Sequence, residues 1–205
     1  MSRVLLILMV TLGAGAAAWG QGVTKLPKVI YLTAVDGKKV AVKTQAAEKA
    51  TVLAWTNLGC PMCKIYRPRL ESMAAEYAAK GIRFVLIDSS QQDHAAALKV
   101  ANEELSGDLR ILRDLAAKVA RKLKVTRTTE ILVAGRDGKV VYRGALDDQY
   151  GYRKREAGGV GSYRKYAPEQ NYLREALDAI LAGKKPEVSS TAALGCALNL
   201  NWKET

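Results

Sequence analysis

Apolar and polar positions along this chain fall into segments with two different periods. Val29 to Thr33 and Lys39 to Lys43 are short β-rich runs joined through Asp36-Gly37, a dipeptide that favours the tight turn of a β-hairpin. Thr51 to Trp55 is an unbroken apolar run, the pattern of a central strand buried on both faces. From Pro61 to about Ala79 the period becomes helical, with Ile65, Leu70, Met73, Ala74 and Tyr77 mostly along one side and Lys80-Gly81 as a stop. Ile82 to Asp88 is the next buried strand and Gln92 to Leu105 the next helix. A strand, a helix and a strand in that order make the two strands parallel neighbours.

Further along, Leu109 to Leu112 reads as a short strand or extended link, and Asp114 is placed to cap a helix running to about Leu123. Glu130 to Ala134 and Lys139 to Arg143, joined through Arg136-Asp137-Gly138, predict a second hairpin. Pro168 to Leu181 reads as a closing helix that stops at Ala182-Gly183. The sum is an α/β fold: a mixed central sheet with a parallel core, an N-terminal β-hairpin and helices on both faces. A polar tail carrying one apolar patch, Ala193 to Leu198, follows Pro186.

The N-terminus adds a location to this picture. Arg3 supplies a positive start, Val4 to Val10 and the Ala-rich run to Ala18 an apolar stretch, and Ala18-Trp19-Gly20 a small-x-small cleavage site. Residues 1–20 are therefore expected to be a signal peptide, residues 21–185 one domain, and residues 186–205 a tail. The apolar run softens into Gly and Ala and is short for a membrane span, so no transmembrane segment is expected after cleavage. Export, to a periplasm or the outside, puts the cysteines in an oxidising compartment. The formal charge of +12 stays strongly positive after loss of Arg3 and favours acidic or anionic partners, while an exported location argues against nucleic acid.

Cys60-Pro61-Met62-Cys63 sits where the first buried strand gives way to the long helix. Unpaired N–H groups and the positive end of the dipole at a helix start stabilise an anion, so Cys60 is expected to be held partly as thiolate. Pro61 suits the first helical position and Cys63 lies one turn further in, within reach of a small disulfide ring. Cys60 is then the attacking thiol and Cys63 the resolving one. Cys196 is the odd cysteine: a free thiol, a third ligand or a partner in exchange.

The order β-hairpin, β-(C-x-x-C)-α-β, α, β-hairpin, α resembles the thioredoxin fold. More narrowly, the chain is similar to exported redoxins of the alkyl-hydroperoxide-reductase and thiol-specific-antioxidant family. The matching stretches are Cys60-Pro61 with Pro68-Arg69-Leu70, Val125 to Glu130, Val141 to Asp148, Tyr172 to Leu177, and Gly195-Cys196. The resemblance implies an oxidoreductase with a redox-active disulfide, no cofactor, and protein disulfides or dithiols as substrates.

Two departures from the relatives bear on mechanism. Thr129 stands where thioredoxins carry a cis-proline opposite the motif, which predicts a trans bond there and makes Thr129 a substrate-groove residue. Ala54 replaces the buried acid of thioredoxins, leaving Glu130 or Asp88 as candidate proton relays to Cys63. Peroxiredoxins, by resemblance, need a Thr three residues before the reactive cysteine and an arginine beside it. Asn57 takes the first place here and Arg127 or Arg67 would have to supply the cation, so a thiol-dependent antioxidant peroxidase is the alternative function. A copper- or zinc-handling module built on the motif with Cys196 and His94, the only histidine, is a further alternative, though the main reading assigns no metal site. Tyr150 to Tyr166, rich in Arg, Lys, Tyr and Gly, reads as a solvated insertion loop able to meet an acidic partner, with Asp147 and Asp148 available to anchor it.

Overall fold

The computed structural model of the protein describes residues 22–44 and 49–201, so the expected signal peptide lies outside the described residues. The first hairpin is β1 (Val29–Thr33) and β2 (Lys39–Lys43), followed by β3 (Ala50–Thr56), α1 (Pro61–Ala78) and β4 (Ile82–Asp88). Next come α2 (Ala95–Glu103), β5 (Ile111–Arg113), a 3-10 turn at Leu115–Ala117 and α3 (Lys118–Leu123). The second hairpin is β6 (Ile131–Gly135) and β7 (Val140–Gly144), then β8 (Tyr150–Lys154), β9 (Val160–Arg164) and α4 (Tyr172–Leu181). Among the described residues, seven strands form one sheet in the order β2-β1-β5-β4-β3-β6-β7. β3 runs parallel to β4 and antiparallel to β6, as the sequence pattern requires of a mixed sheet with a parallel core.

Alternation along β3 divides the interior in two. Ala50, Val52 and Ala54 face a cluster built with Leu70, Met73 and Tyr77 of α1, Leu98 of α2 and Leu173 of α4. Leu53 and Trp55 face the opposite side, with Ala120 and Leu123 of α3 and Ile30 and Leu32 of β1. Helices therefore cover both faces. Truncating a fully buried member such as Leu53 to Ala is expected to cost about 2–5 kcal/mol, because the close-packed neighbours only partly collapse into the void.

The structure corrects several expected boundaries. The Asp93 carboxylate accepts the Leu58 N–H at 2.7 Å, so the second helix waits until Ala95. The closing helix starts at Tyr172, because the N–H groups of Glu169 and Gln170 are bound by Asp148 Oδ1 and hold the preceding chain extended. Asp114 does cap, but it accepts from Val119 and Ala120 across the intervening 3-10 turn. On α1 the buried stripe is Cys63, Tyr66, Leu70, Met73 and Tyr77, alternating three and four apart, which leaves Ile65 exposed at 38%.

The largest correction concerns residues 150–166. They form the antiparallel hairpin β8–β9, turning through Gly158 and Gly159 at positive φ. Its base is tied down by the two acids before it: Asp148 pairs with Lys165 Nζ at 2.6 Å, and Asp147 with Arg69 Nη1 at 2.7 Å and the Tyr66 hydroxyl at 3.2 Å.

Candidate active site

β3 ends at Thr56, and after three intervening residues Cys60 is the last residue outside α1, in extended backbone (φ −81°, ψ 119°) with Pro61 at the first helical turn. Proline has no N–H, and that group would lack an acceptor at this position, so the sequence starts a helix here without waste of a donor. Cys60 and Cys63 are free thiols and almost fully buried, at 1% and 3% exposure.

The two sulfurs of the motif are electrostatically unlike. Burial is the largest influence on Cys60 and pushes its pKa up, but donors outweigh it and bring the thiol down to about 7. Those donors are, in decreasing order, the Thr128 hydroxyl, the Cys196 thiol, the Cys196 N–H and the Cys63 N–H. Cys63 goes the other way, to about 12, first because it is buried and second because it faces the Cys60 charge. One sulfur is thus prepared as thiolate near neutral pH while its neighbour keeps its proton.

Thr128 had no assigned role in the sequence reading, yet it organises the site. Its Oγ1 lies 3.2 Å from Cys60 Sγ and accepts the Cys196 N–H at 2.9 Å, which leaves the hydroxyl proton free to point at the thiolate. Its place directly before Thr129, the residue expected opposite the motif, was the available signal.

Cys196 comes back to the motif. Its Sγ is 3.1 Å from Cys60 Sγ and donates to it, while the residue remains exposed on its outer side. The bond to Cys60, followed by burial, holds the Cys196 thiol above its ordinary pKa. Beside it a cleft of about 270 Å³ opens between Asn57, Gly59, Ser89, Gln92 and Thr128.

The bond preceding Thr129 is trans, as expected, like every described peptide bond. The departure is in φ: at +67° Thr129 occupies the left-handed region, which costs a β-branched residue about 1–3 kcal/mol. The surroundings impose it through Thr129 N–H to Trp55 O at 2.8 Å and Thr129 Oγ1–H to Leu194 O at 2.9 Å.

Glu130 is placed differently from a proton relay. Its carboxylate pairs with Arg143 at 2.5 Å and accepts the Thr126 N–H at 3.2 Å. Arg143 also donates to the carbonyls of Leu123 and Lys124, so the pair clamps the end of α3. Asp88 is the more labile acid: burial, with the Asp93 carboxylate second, pushes it up to about 8.

The remaining candidates lie apart from Cys60. Arg127 Nη1 donates to Gly195 O at 3.2 Å, and neither it nor Arg67 hydrogen-bonds Cys60 Sγ, whose side-chain partners are Thr128 and Cys196. His94 is the exposed residue that precedes α2. Among the described residues no three His, Cys, Asp or Glu side chains converge to hold a metal ion. No helix among them is long and apolar enough to cross a membrane.

Comparison with known proteins bears on family and fold. Residues 22–160 match the Redoxin family, and the chain belongs to it. A conserved protein of uncharacterised role from Geobacillus kaustophilus superposes with a TM-score of 0.73 at 28% identity, over 91% of this chain and 94% of that one. A hypothetical protein from Sinorhizobium meliloti gives 0.71 at 21% identity, over 87% and 93%. A putative thiol:disulfide interchange protein DsbE from Chlorobium tepidum gives 0.52 at 18% identity, over 61% and 85%, a likeness of fold. A search of curated proteins returned no match. The fold is thioredoxin-like and the chain is a redoxin, a protein of thiol-redox type.

Proposed function

We propose that this redoxin is an exported thiol–disulfide oxidoreductase acting on protein substrates through Cys60 and Cys63. The observation that carries the reading is the divergence of the two thiols, about 7 against about 12, within one buried C-x-x-C at a helix start. The Cys60 thiolate attacks one sulfur of a substrate disulfide, forming a mixed disulfide and releasing the other substrate sulfur as thiolate. Cys63 then loses its proton and attacks Cys60 Sγ. The Cys60–Cys63 disulfide forms, the substrate leaves as dithiol, and two electrons have passed from protein to substrate. The reverse sequence oxidises a substrate dithiol.

Location rests on the leader pattern of residues 1–20. Arg153, Lys154, Arg155 and Arg164 on the exposed β8–β9 hairpin favour substrates with an acidic surface. The test is exchange between the reduced protein and a peptide disulfide. Cys60→Ser is expected to abolish exchange, and Cys63→Ser combined with Cys196→Ser, which removes both neighbouring thiols, to accumulate the mixed disulfide. Undiminished exchange in Cys60→Ser would remove the reading.

A further inference from the structure

The segment Thr126 to Thr128 runs beside Cys60 with a backbone edge available for pairing, and the tail of the same chain has taken that edge. Thr128 N–H donates to Cys196 O and Leu198 N–H to Thr126 O, each at 2.9 Å, with Arg127 opposite Ala197 in antiparallel register. Main-chain pairing of this kind is how an extended peptide adds to an exposed strand edge. Side chains reinforce it: Cys196 N–H to Thr128 Oγ1, Thr129 Oγ1–H to Leu194 O, and Arg127 to Gly195 O.

Two glycines make the approach possible. A Cβ on Gly195 would collide with the Thr128 carbonyl, and one on Gly144, at φ +150°, with Thr191 of the tail. Thr191 is in turn fixed by Ala145 N–H and the Tyr142 hydroxyl, and Leu198 and Leu200 pack onto the α3 side of the core. The tail is a built part of the fold, and its track ends with one sulfur 3.1 Å from the attacking thiol.

We propose that residues 190–198 occupy the groove in which an extended substrate would pair, and that Cys196 is a third redox thiol that takes Cys60 into an internal Cys60–Cys196 disulfide. The step rests on the exchange chemistry proposed above. Starting from the Cys60–Cys63 disulfide, the Cys196 thiolate attacks Cys60 Sγ. The Cys60–Cys63 bond breaks, the Cys60–Cys196 bond forms, and Cys63 leaves as thiolate and recovers the proton that Cys196 gave up. Oxidation state is unchanged and no co-reactant is needed. The product is a closed form in which the chain stands in for its own substrate. A thiol on a flexible tether already acts at millimolar effective concentration, and one held in place exceeds it, so an external thiol must compete against that local supply.

The test begins with Cys63→Ser, which removes the competing partner. On oxidation with oxidised glutathione, non-reducing peptide mapping is expected to recover an intramolecular Cys60–Cys196 disulfide with no glutathione on Cys60. Glutathione on Cys60 with Cys196 open to alkylation would overturn the proposal. In oxidised wild-type protein quenched with acid, both Cys60–Cys63 and Cys60–Cys196 are expected, and Cys60–Cys63 alone would again overturn it.

Gly195→Ala, with its fold checked by thermal unfolding, displaces the tail while keeping all three thiols. It is expected to lower the yield of the Cys60–Cys196 link about tenfold, the ratio set by losing the local supply of thiol. An unchanged yield would remove the groove from the proposal. If wild-type protein exchanges, Cys60→Ser does not, and no Cys60–Cys196 link forms, this inference alone fails. If Cys60→Ser exchanges as wild type does, the underlying oxidoreductase reading fails first.

Discussion

Cys60 is approached from two sides, and the two sides contribute unequally. From α1 it receives one backbone N–H, that of Cys63, the smallest of the four donors. From the Thr126–Thr128 segment and the tail it receives a hydroxyl and a thiol, both ranked above that N–H. The helix start is the local, legible part of a redox cysteine, yet most of the stabilisation of this thiolate comes from residues 68 and 136 positions away. A C-x-x-C motif defines where the nucleophile is, and here the distant partners define how acidic it is.

That inequality can be broken from either side. The largest effect is expected from Thr129→Pro, which forces φ negative and removes the N–H that donates to Trp55 O. It should cost about 3 kcal/mol of stability, read as a lower urea midpoint, and should loosen the tail by removing its bond to Leu194. Equal midpoints would mean that the segment beside Cys60 is not held as described.

Next in size is the acid pair behind the loop that carries the motif. Asp88 has its folded pKa raised to about 8, so its contribution is complete below the ordinary carboxylate range and is lost as pH rises through about 8. Wild-type stability should therefore fall between about pH 4 and pH 8 from this group. Asp88→Asn, which keeps an oxygen for the Ser90 N–H, should gain ~2 kcal/mol over wild type at the upper end and little at the lower. Denaturation curves at the two extremes check this, and a gain confined to low pH would contradict it.

Thr128→Val removes the first of the lowering donors and should raise the Cys60 titration by about one pH unit, or ~1.4 kcal/mol, read from the pH dependence of its alkylation. The smallest effect belongs to the helix side. Pro61→Ala keeps the first helical position and should move the same midpoint by only a few tenths of a pH unit. A larger shift for Pro61→Ala than for Thr128→Val would reverse the comparison.

What was readable in the sequence follows the same division. β1, β2 and β4 carry patterns whose ends coincide with the strands, because alternation and β-branched content act over neighbouring residues. The C-x-x-C at the strand-to-helix junction was legible for the same reason. Side-chain commitments across the fold moved the other boundaries, as Asp93 does for α2 and Asp148 for α4. The hairpin at 150–166 was hidden by its charge, although Gly158-Gly159 marked its turn. Ile65 was assigned to the buried face by its hydrophobicity, whereas Tyr66 takes that place because Asp147 accepts its hydroxyl. Thr128 and Cys196 meet Cys60 only through tertiary pairing, which no local period encodes.

The most direct test is the ultraviolet absorbance of the thiolate in the fully reduced protein, followed against pH in wild type and in Gly195→Ala. Cys63 and Cys196 keep their protons through the neutral range, so the signal there belongs to Cys60. A wild-type midpoint near 7 is expected, with a clear rise toward the ordinary thiol value of about 8.5 when the tail is displaced. A midpoint that stays near 7 in Gly195→Ala would mean that the tail contributes nothing to the acidity of this thiol, and would contradict its assigned part.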